Sequence, residues 1–311
     1  MYHSPNFQKN SPSTFLKDPA MSQTLSGASR VHFIVGDPIA QVKSPAGVTQ
    51  AFHDHGNNAF VMPAHVAPAD LAAWVAGVSL TKNVDGIIVT VPHKFACADL
   101  CGTTSERAAF LHTVNTMRRN PDGTWHGDMF DGLGFVSAMN DNGCNPEGKK
   151  ALLVGAGGAG SAIAHALVMA GVSALAIYDE DSTRRETLVN RLAGLNKCPV
   201  TSGNADPTGF DVVLNATPVG MKDGDPYPLQ ADKITADMFV GCVITQPAVT
   251  PLIATARAKG CKTMTGAHMF GRVRDLMVDF LLGAPSPQLA RSAGSAAPEG
   301  RSPAWGGPAQ D

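Results

Sequence analysis

The stretch Val154-Gly155-Ala156-Gly157-Gly158-Ala159-Gly160 decides how this chain is read. It follows an apolar run, Ala151-Leu152-Leu153-Val154, and precedes a helical segment from Ser161 to Ala170. Gly155, Gly157 and Gly160 therefore fit G-x-G-x-x-G in the strand–turn–helix context that gives the pattern weight. The first glycine permits a tight turn. The second lets the backbone approach a pyrophosphate, and the third lets the helix pack closely on the strand. The helix N-terminus then offers free N–H donors and a positive dipole end to the phosphates. The plainer alternative is a glycine turn before an ordinary helix. The flanks favour a dinucleotide site formed by Gly155, Ala156, Gly157, Gly158, Ala159 and Gly160.

Downstream the pattern repeats. Strand Ala174–Tyr178 is followed by helix Thr183–Leu192, a short strand near Val200, and strands Asp211–Leu214 and Val240–Ile244. Helix Pro251–Lys259 and a final helix over His268–Leu282 complete a Rossmann-type series. The apolar residues Met269, Val273, Met277, Phe280 and Leu281 predict that this last helix packs back on the first domain. The strand at Tyr178 ends in Asp179-Glu180-Asp181, about two dozen residues after the first glycine, where an acid accepts hydrogen bonds from the adenosine ribose. Asp179 thus points to NAD, with NADP as the alternative because Arg184 and Arg185 lie close by in sequence. Asp181 or Ser182 as a helix cap is the competing use of this acidic run.

Upstream, Val31–Val35 reads as a strand ended by Gly36-Asp37-Pro38. Ser44-Pro45 reads as an N-cap and first-turn proline for a helix through Phe52. Strand Ala59–Ala64, helix Pro68–Val78 and the β-branched strand Asp85–Val91 follow, and the last runs into Pro92-His93-Lys94. Thr113–Thr116 reads as a strand, with a turn at Asn120–Gly123. Asp131 stands where a cap for a helix beginning at Leu133 belongs. Strands alternating with helices predict an α/β fold: an N-terminal α/β substrate domain, a Rossmann domain, and a cleft between them. The expected boundaries are residues 30–132 with 266–283, and 133–265. Residues 1–29 and 284–311 carry no core-forming pattern and read as disordered, with Met1 or Met21 as the start.

The 311 residues hold only 6% aromatics, so an aliphatic core suits the α/β layers, and the net charge of −2 invites neither nucleic acid nor an anionic membrane. The six cysteines, Cys97, Cys101, Cys144, Cys198, Cys242 and Cys261, form no metal-ligand spacing and read as reduced thiols of a cytoplasmic protein. No metal and no secretory segment is expected.

The sequence resembles the shikimate/quinate dehydrogenase family from about Val31 to Leu282. The matching pieces, in order, are Gly36-Asp37-Pro38-Ile39-Ala40 with Lys43-Ser44-Pro45, Val89-Thr90-Val91-Pro92-His93-Lys94, and Val114-Asn115-Thr116. Gly127 with Asp131-Gly132, the glycine turn, Asn215-Ala216-Thr217-Pro218-Val219-Gly220-Met221, and Thr250-Pro251-Leu252 follow. The same pieces fit the methylene-tetrahydrofolate dehydrogenases less well. The resemblance implies that Lys94 and Asp131 are a catalytic pair and that Ser44, Thr90 and Asn115 contact a cyclic substrate. It places Asn215, Thr217 and Met221 beside the nicotinamide, and it is compatible with a monomer or a homodimer. Hydride transfer from a secondary alcohol needs the hydroxyl proton removed, and the reverse needs an alkoxide stabilised. A lysine held by an aspartate can serve both directions.

Four departures stand out against the same family. Val42 replaces a serine, Met129-Phe130 replace Asn-Thr, Thr245 aligns with a tyrosine, and Val273 aligns with a glutamine. At about 1.5–3 kcal/mol for each hydrogen bond to a charged group, loss of the serine and the tyrosine weakens carboxylate binding by orders of magnitude unless something replaces them. His93 and Arg272 are the candidate replacements, although His93 beside Pro92 has the look of a structural residue. Turnover of shikimate or quinate, action on a less polar cyclic alcohol, and a non-catalytic NAD-binding regulator are the readings to separate.

Overall fold

A computed structural model describes residues 24–283. The expected N-terminal extension up to residue 23, the choice between Met1 and Met21, and the expected tail from residue 284 lie outside the described residues. Ser29, inside the expected extension, belongs to the fold: it is buried, and its hydroxyl donates to Asn58 Oδ1 at 3.1 Å.

The first half runs β1 (Arg30–Gly36), α1 (Ser44–Asp54), β2 (Ala59–His65), α2 (Leu71–Ser79), β3 (Val84–Val89), α3 (Lys94–Asp99), β4 (Thr103–Thr104), α4 (Glu106–Leu111), β5 (Thr116–Arg119) and β6 (Trp125–Asp128). Its strand order is β2-β1-β3-β5-β6-β4. β1 is parallel to β2 and β3, whereas β5 is antiparallel to both β3 and β6. The Gly86-Ile87-Ile88-Val89 run is buried throughout, as a strand covered on both faces requires. The β5–β6 hairpin turns at Gly123, which takes φ +89°, a conformation that favours glycine.

α5 (Asp131–Asp141) leads into the second half: β7 (Lys150–Val154), α6 (Gly158–Met169), β8 (Ala174–Tyr178), α7 (Ser182–Ala193), β9 (Val200–Ser202), β10 (Val212–Asn215), β11 (Phe239–Cys242), α8 (Pro251–Ala258) and β12 (Lys262–Met264). Its sheet, β12-β11-β10-β7-β8-β9, is parallel throughout. The chain reverses direction across the sheet between β7 and β10, and ligands of such sheets bind beyond the carboxyl ends of the strands at that switch point. α9 (Gly266–Leu281) returns to the first half and packs on α1, α5 and β5, as its apolar stripe predicts.

α5 fixes the junction. It lies against α6 on one side and α9 on the other, and two glycines permit this. A Cβ at Gly132 would stand 2.7 Å from the Ala162 carbonyl carbon, and one at Gly134 would stand 2.8 Å from Val273 N. Both obstacles are backbone, so neither can step aside.

Several expectations change. β4, α4, β6 and β12 were not anticipated, because runs of two to six residues are too short to show a period. Of Thr113–Thr116 only Thr116 opens a strand. The residues before it bend so that Asn115 is held from both sides, with Val89 N donating to Asn115 O at 2.7 Å and Asn115 N donating to Asp128 O at 3.0 Å. Ser44 and Asp131 are the first residues of their helices, not caps; the caps are Lys43 and Phe130, and neither makes a side-chain capping bond. The Asp131 carboxylate is engaged elsewhere, in the site itself.

Candidate active site

Lys94 is the first residue of α3 and is reached directly from the carboxyl end of β3. Its side chain is only 12% exposed, and that of Asp131 8%. Lys94 Nζ donates to Asp131 Oδ2. The other carboxylate oxygen accepts from Asn115 Nδ2 at 2.7 Å. Asn115 is itself pinned, since its Oδ1 accepts from Phe130 N and from Thr116 Oγ1, each at 3.1 Å. Three residues far apart in sequence therefore form one buried chain, Lys94–Asp131–Asn115. Asn115, expected to touch substrate, is first of all the group that orients Asp131, with one amide hydrogen left over.

Ser44 and Thr90 share this edge, because β1 and β3 are parallel and both residues follow the carboxyl ends of their strands. Ser44 is buried and its hydroxyl makes no hydrogen bond among the described residues. Thr90 lies over Gly36, whose lack of a side chain leaves room for the Thr90 methyl group.

The glycine turn meets this cluster from the other side. Gly155 has φ +107°, and a Cβ there would stand 2.9 Å from both the Ala216 carbonyl carbon and Thr217 Cγ2. A Cβ at Gly160 would stand 2.8 Å from the Gly155 carbonyl carbon, so the third glycine is the one that seats α6. Open space surrounds the Cβ position of Gly157, and no side chain caps α6, which leaves its first-turn N–H groups available to phosphate. A Cβ at Gly158 would stand 3.2 Å from Lys94 Cδ. The lysine stem thus lies along the glycine turn, whose open N–H groups fit the phosphates of a dinucleotide.

Asp179, expected to face a ribose, has a structural role of its own. Its Oδ2 accepts from Ala156 N at 2.7 Å and its Oδ1 from Asp181 N at 2.9 Å, so it ties β8 to the glycine turn. Asp181 is the N-cap of α7, accepting from Arg184 N at 3.0 Å, which confirms the capping role for that residue. Asn215 and Thr217 mainly build their own loop. Asn215 Oδ1 accepts from Thr217 N at 3.0 Å and from Thr217 Oγ1 at 2.7 Å, and Thr217 Oγ1 accepts from Val219 N at 3.2 Å. Met221 is 40% exposed beyond that loop.

Neither candidate carboxylate partner is free. His93 is buried and its Nε2 bonds the Val66 carbonyl at 2.8 Å. Arg272 pairs with Asp141 at the far end of α5. Val42 leans on the same apolar cluster that contains Val273, while Met129 and Phe130 are wholly buried. Asp128 and Arg107 escaped notice in the sequence. They form a partly buried ion pair, and Arg107 Nε also donates to Met129 O at 3.0 Å. The only sequence signal for this support was Ser105, a helix cap three residues before Ala108.

The family description "Shikimate dehydrogenase substrate binding domain" matches residues 34–117. The shikimate dehydrogenase (NADP(+)) of Acidiphilium cryptum is 34% identical over 245 residues, covering 79% of this chain and 87% of that protein. The chain belongs to the shikimate dehydrogenase family. Among solved structures of this fold, the 5-ketofructose reductase of Gluconobacter sp. strain CHM43 is 26% identical with a TM-score of 0.75, covering 86% of this chain and 98% of that one. The quinate dehydrogenase from Corynebacterium glutamicum in complex with NAD is 26% identical with a TM-score of 0.75, covering 85% and 98%. The family resemblance seen in the sequence is thereby established. Among the described residues no helix is long and apolar enough to cross a membrane.

Proposed function

We propose that this protein is a dehydrogenase that moves a hydride between a nicotinamide cofactor and a ring hydroxyl or ketone of a shikimate- or quinate-like substrate. The observation that carries this reading is the buried Lys94–Asp131 pair lying against the glycine turn. Residues 30–132 with 266–283 hold the substrate, and residues 133–265 hold the cofactor. Bound nicotinamide supplies the hydride acceptor or donor. Lys94 Nζ exchanges the hydroxyl proton with substrate. Asp131 keeps the ammonium in place, and Asn115 keeps Asp131 from turning away. Ser44 and Thr90 offer hydroxyls to the ring.

NAD is the cofactor this site favours. Asp179 and Glu180 set negative charge where a 2′-phosphate would lie. The curated relatives are named for NADP(+), which favours NADP, while a quinate dehydrogenase neighbour is in complex with NAD; Arg184, half exposed and 3.7 Å from Asp179, and Arg185 are the residues through which NADP would be accommodated.

A second reading rests on the engagement of His93 and Arg272: the substrate is a less polar cyclic alcohol or ketone without a carboxylate. A structural relative named for 5-ketofructose, a substrate without a carboxylate though a polar one, supports only the missing carboxylate. Steady-state assay of shikimate, quinate and uncharged cyclohexenols, each with NAD and NADP, decides between them. Shikimate preferred over every analogue would overturn the second reading. No turnover of any of them, with NAD still bound, would favour a non-catalytic regulator.

A further inference from the structure

The segment from Ser105 to Asn115 touches both catalytic residues and the cofactor domain at once. At its start, Ser105 Oγ donates to Asp128 Oδ1, and Arg107 pairs with Asp128 and donates to Met129 O. The Arg107 guanidinium also lies 5.2 Å from the ring centre of Phe130, the residue before Asp131. At its end, Val114 N donates to the Lys94 carbonyl at 3.0 Å and Asn115 holds Asp131. In its middle, the free carbonyls that close α4 are taken up by the other domain. Arg191 of α7 donates from Nη1 to Leu111 O at 2.9 Å and to Phe110 O at 3.4 Å. A helix end leaves such carbonyls without partners, and a cation is the favourable group to place there.

Phe110 reinforces the junction. Its ring lies 5.1 Å from that of His165 on α6, and it packs against the apolar cluster of the first half and against the larger cluster that runs through both halves. Burial, and then the charge of Arg107, push the His165 imidazole below its ordinary value, so a neutral ring faces Phe110 at neutral pH.

We propose that α4 is a strut which sets the Lys94–Asp131 pair relative to the cofactor domain, with Arg191 as the positioning residue that holds it. Arg191 has no part in the substrate or cofactor contacts proposed above. It acts through Leu111 and Val114 on Lys94, and through Arg107 and Phe130 on Asp131. The catalytic part of this inference rests on the dehydrogenase reading above; the mechanical part does not.

Arg191 is on the surface, so its replacement leaves the core intact. The test uses the full chain as Arg191→Met, with Arg191→Lys as the conservative variant and Arg257→Ala as a surface control. Amide hydrogen exchange of peptides covering residues 94–100 and 113–117 is read without substrate, and kcat and the NAD dissociation constant are read alongside. With coupling of the usual size along such a path, Arg191→Met speeds exchange at 113–117 and lowers kcat by about three- to tenfold, leaves NAD affinity within about twofold, and Arg191→Lys restores at least about half of the loss. Exchange confined to faster fraying within α4, with 113–117 unchanged, overturns the strut. So does unchanged kcat in a protein that turns over. Absence of turnover in the wild type would count against the dehydrogenase reading, and the exchange data alone would then decide the strut.

Discussion

Replacing Asp179 with asparagine tests how the acid at the end of β8 serves the cofactor. The carboxylate is 11% exposed and accepts two backbone bonds, one of them from Ala156 inside the glycine turn. Asparagine keeps one acceptor and turns an NH₂ group toward a backbone N–H, so one charge-assisted bond is lost and two donors face each other. That bond lies within the protein, so its loss falls on stability; the ribose bond that Asp179 is proposed to accept loses the same charge, and at about 1.5–3 kcal/mol for one such bond the NAD complex weakens roughly 10- to 150-fold. NADP suffers less, because the same change removes a charge that repels its 2′-phosphate. The ratio of NADP to NAD affinity therefore rises about tenfold or more. Isothermal titration of both cofactors into wild type and Asp179→Asn at one fixed ionic strength provides the numbers. An NAD dissociation constant within about threefold of wild type, in a variant that stays folded at the assay temperature, would refute the assignment, since it lies below the loss of even one such bond.

Gly132→Ala places a methyl group against the Ala162 backbone and forces α5 off α6; a loss of about 1–3 kcal/mol in urea unfolding and a fall in kcat are expected, and a variant with both unchanged would show that the helices are free to separate. His32 is buried against Phe52 with both ring nitrogens unpartnered, and burial pushes it down from 6.5 to about 4. The fold therefore favours the neutral ring: stability is complete above about pH 6.5, falls as pH drops toward 4, and levels off below, with up to about 3 kcal/mol at stake. His32→Leu flattens that limb in urea titrations from pH 4 to 7, and a slope unchanged from wild type would assign the effect to other groups. Val42→Ser restores one hydroxyl near Ser44 and raises kcat/KM for shikimate by about tenfold if a carboxylate is gripped there; no gain for shikimate over cyclohexenols would place the carboxylate elsewhere.

The cofactor half of the fold was legible because each of its signals is local. The glycines, the strand before them and the acid at Asp179 lie in one βαβ unit, where spacing along the chain is spacing in the molecule. The cluster around Lys94 is different. Lys94, Asn115 and Asp131 meet only because β3, β5 and β6 pair antiparallel and bend Asn115 inward, and no periodicity carries that information. Family resemblance supplied the pair; the bond from Asn115 to Asp131 needed coordinates. Ser44 and Asp131 illustrate the limit of local rules, since both are cap-forming types at helix starts, yet each begins its helix and Asp131 turns its side chain to the site. The role of α4 was invisible for a related reason: a six-residue helix has no measurable stripe, and its partner Arg191 lies 80 residues on.

The central claim is that Lys94 moves the proton while Asp131 holds it in place. Lys94→Met tests this most directly, because methionine keeps the stem that lies on Gly158 and removes only the ammonium group. Turnover of the best substrate from the screen is measured beside NAD binding. The account predicts a fall in kcat of about 10²–10⁴-fold, with the NAD dissociation constant within about threefold of wild type. A Lys94→Met enzyme that keeps more than about a tenth of wild-type turnover would contradict it, since general acid–base catalysis by a positioned side chain contributes at least about a hundredfold.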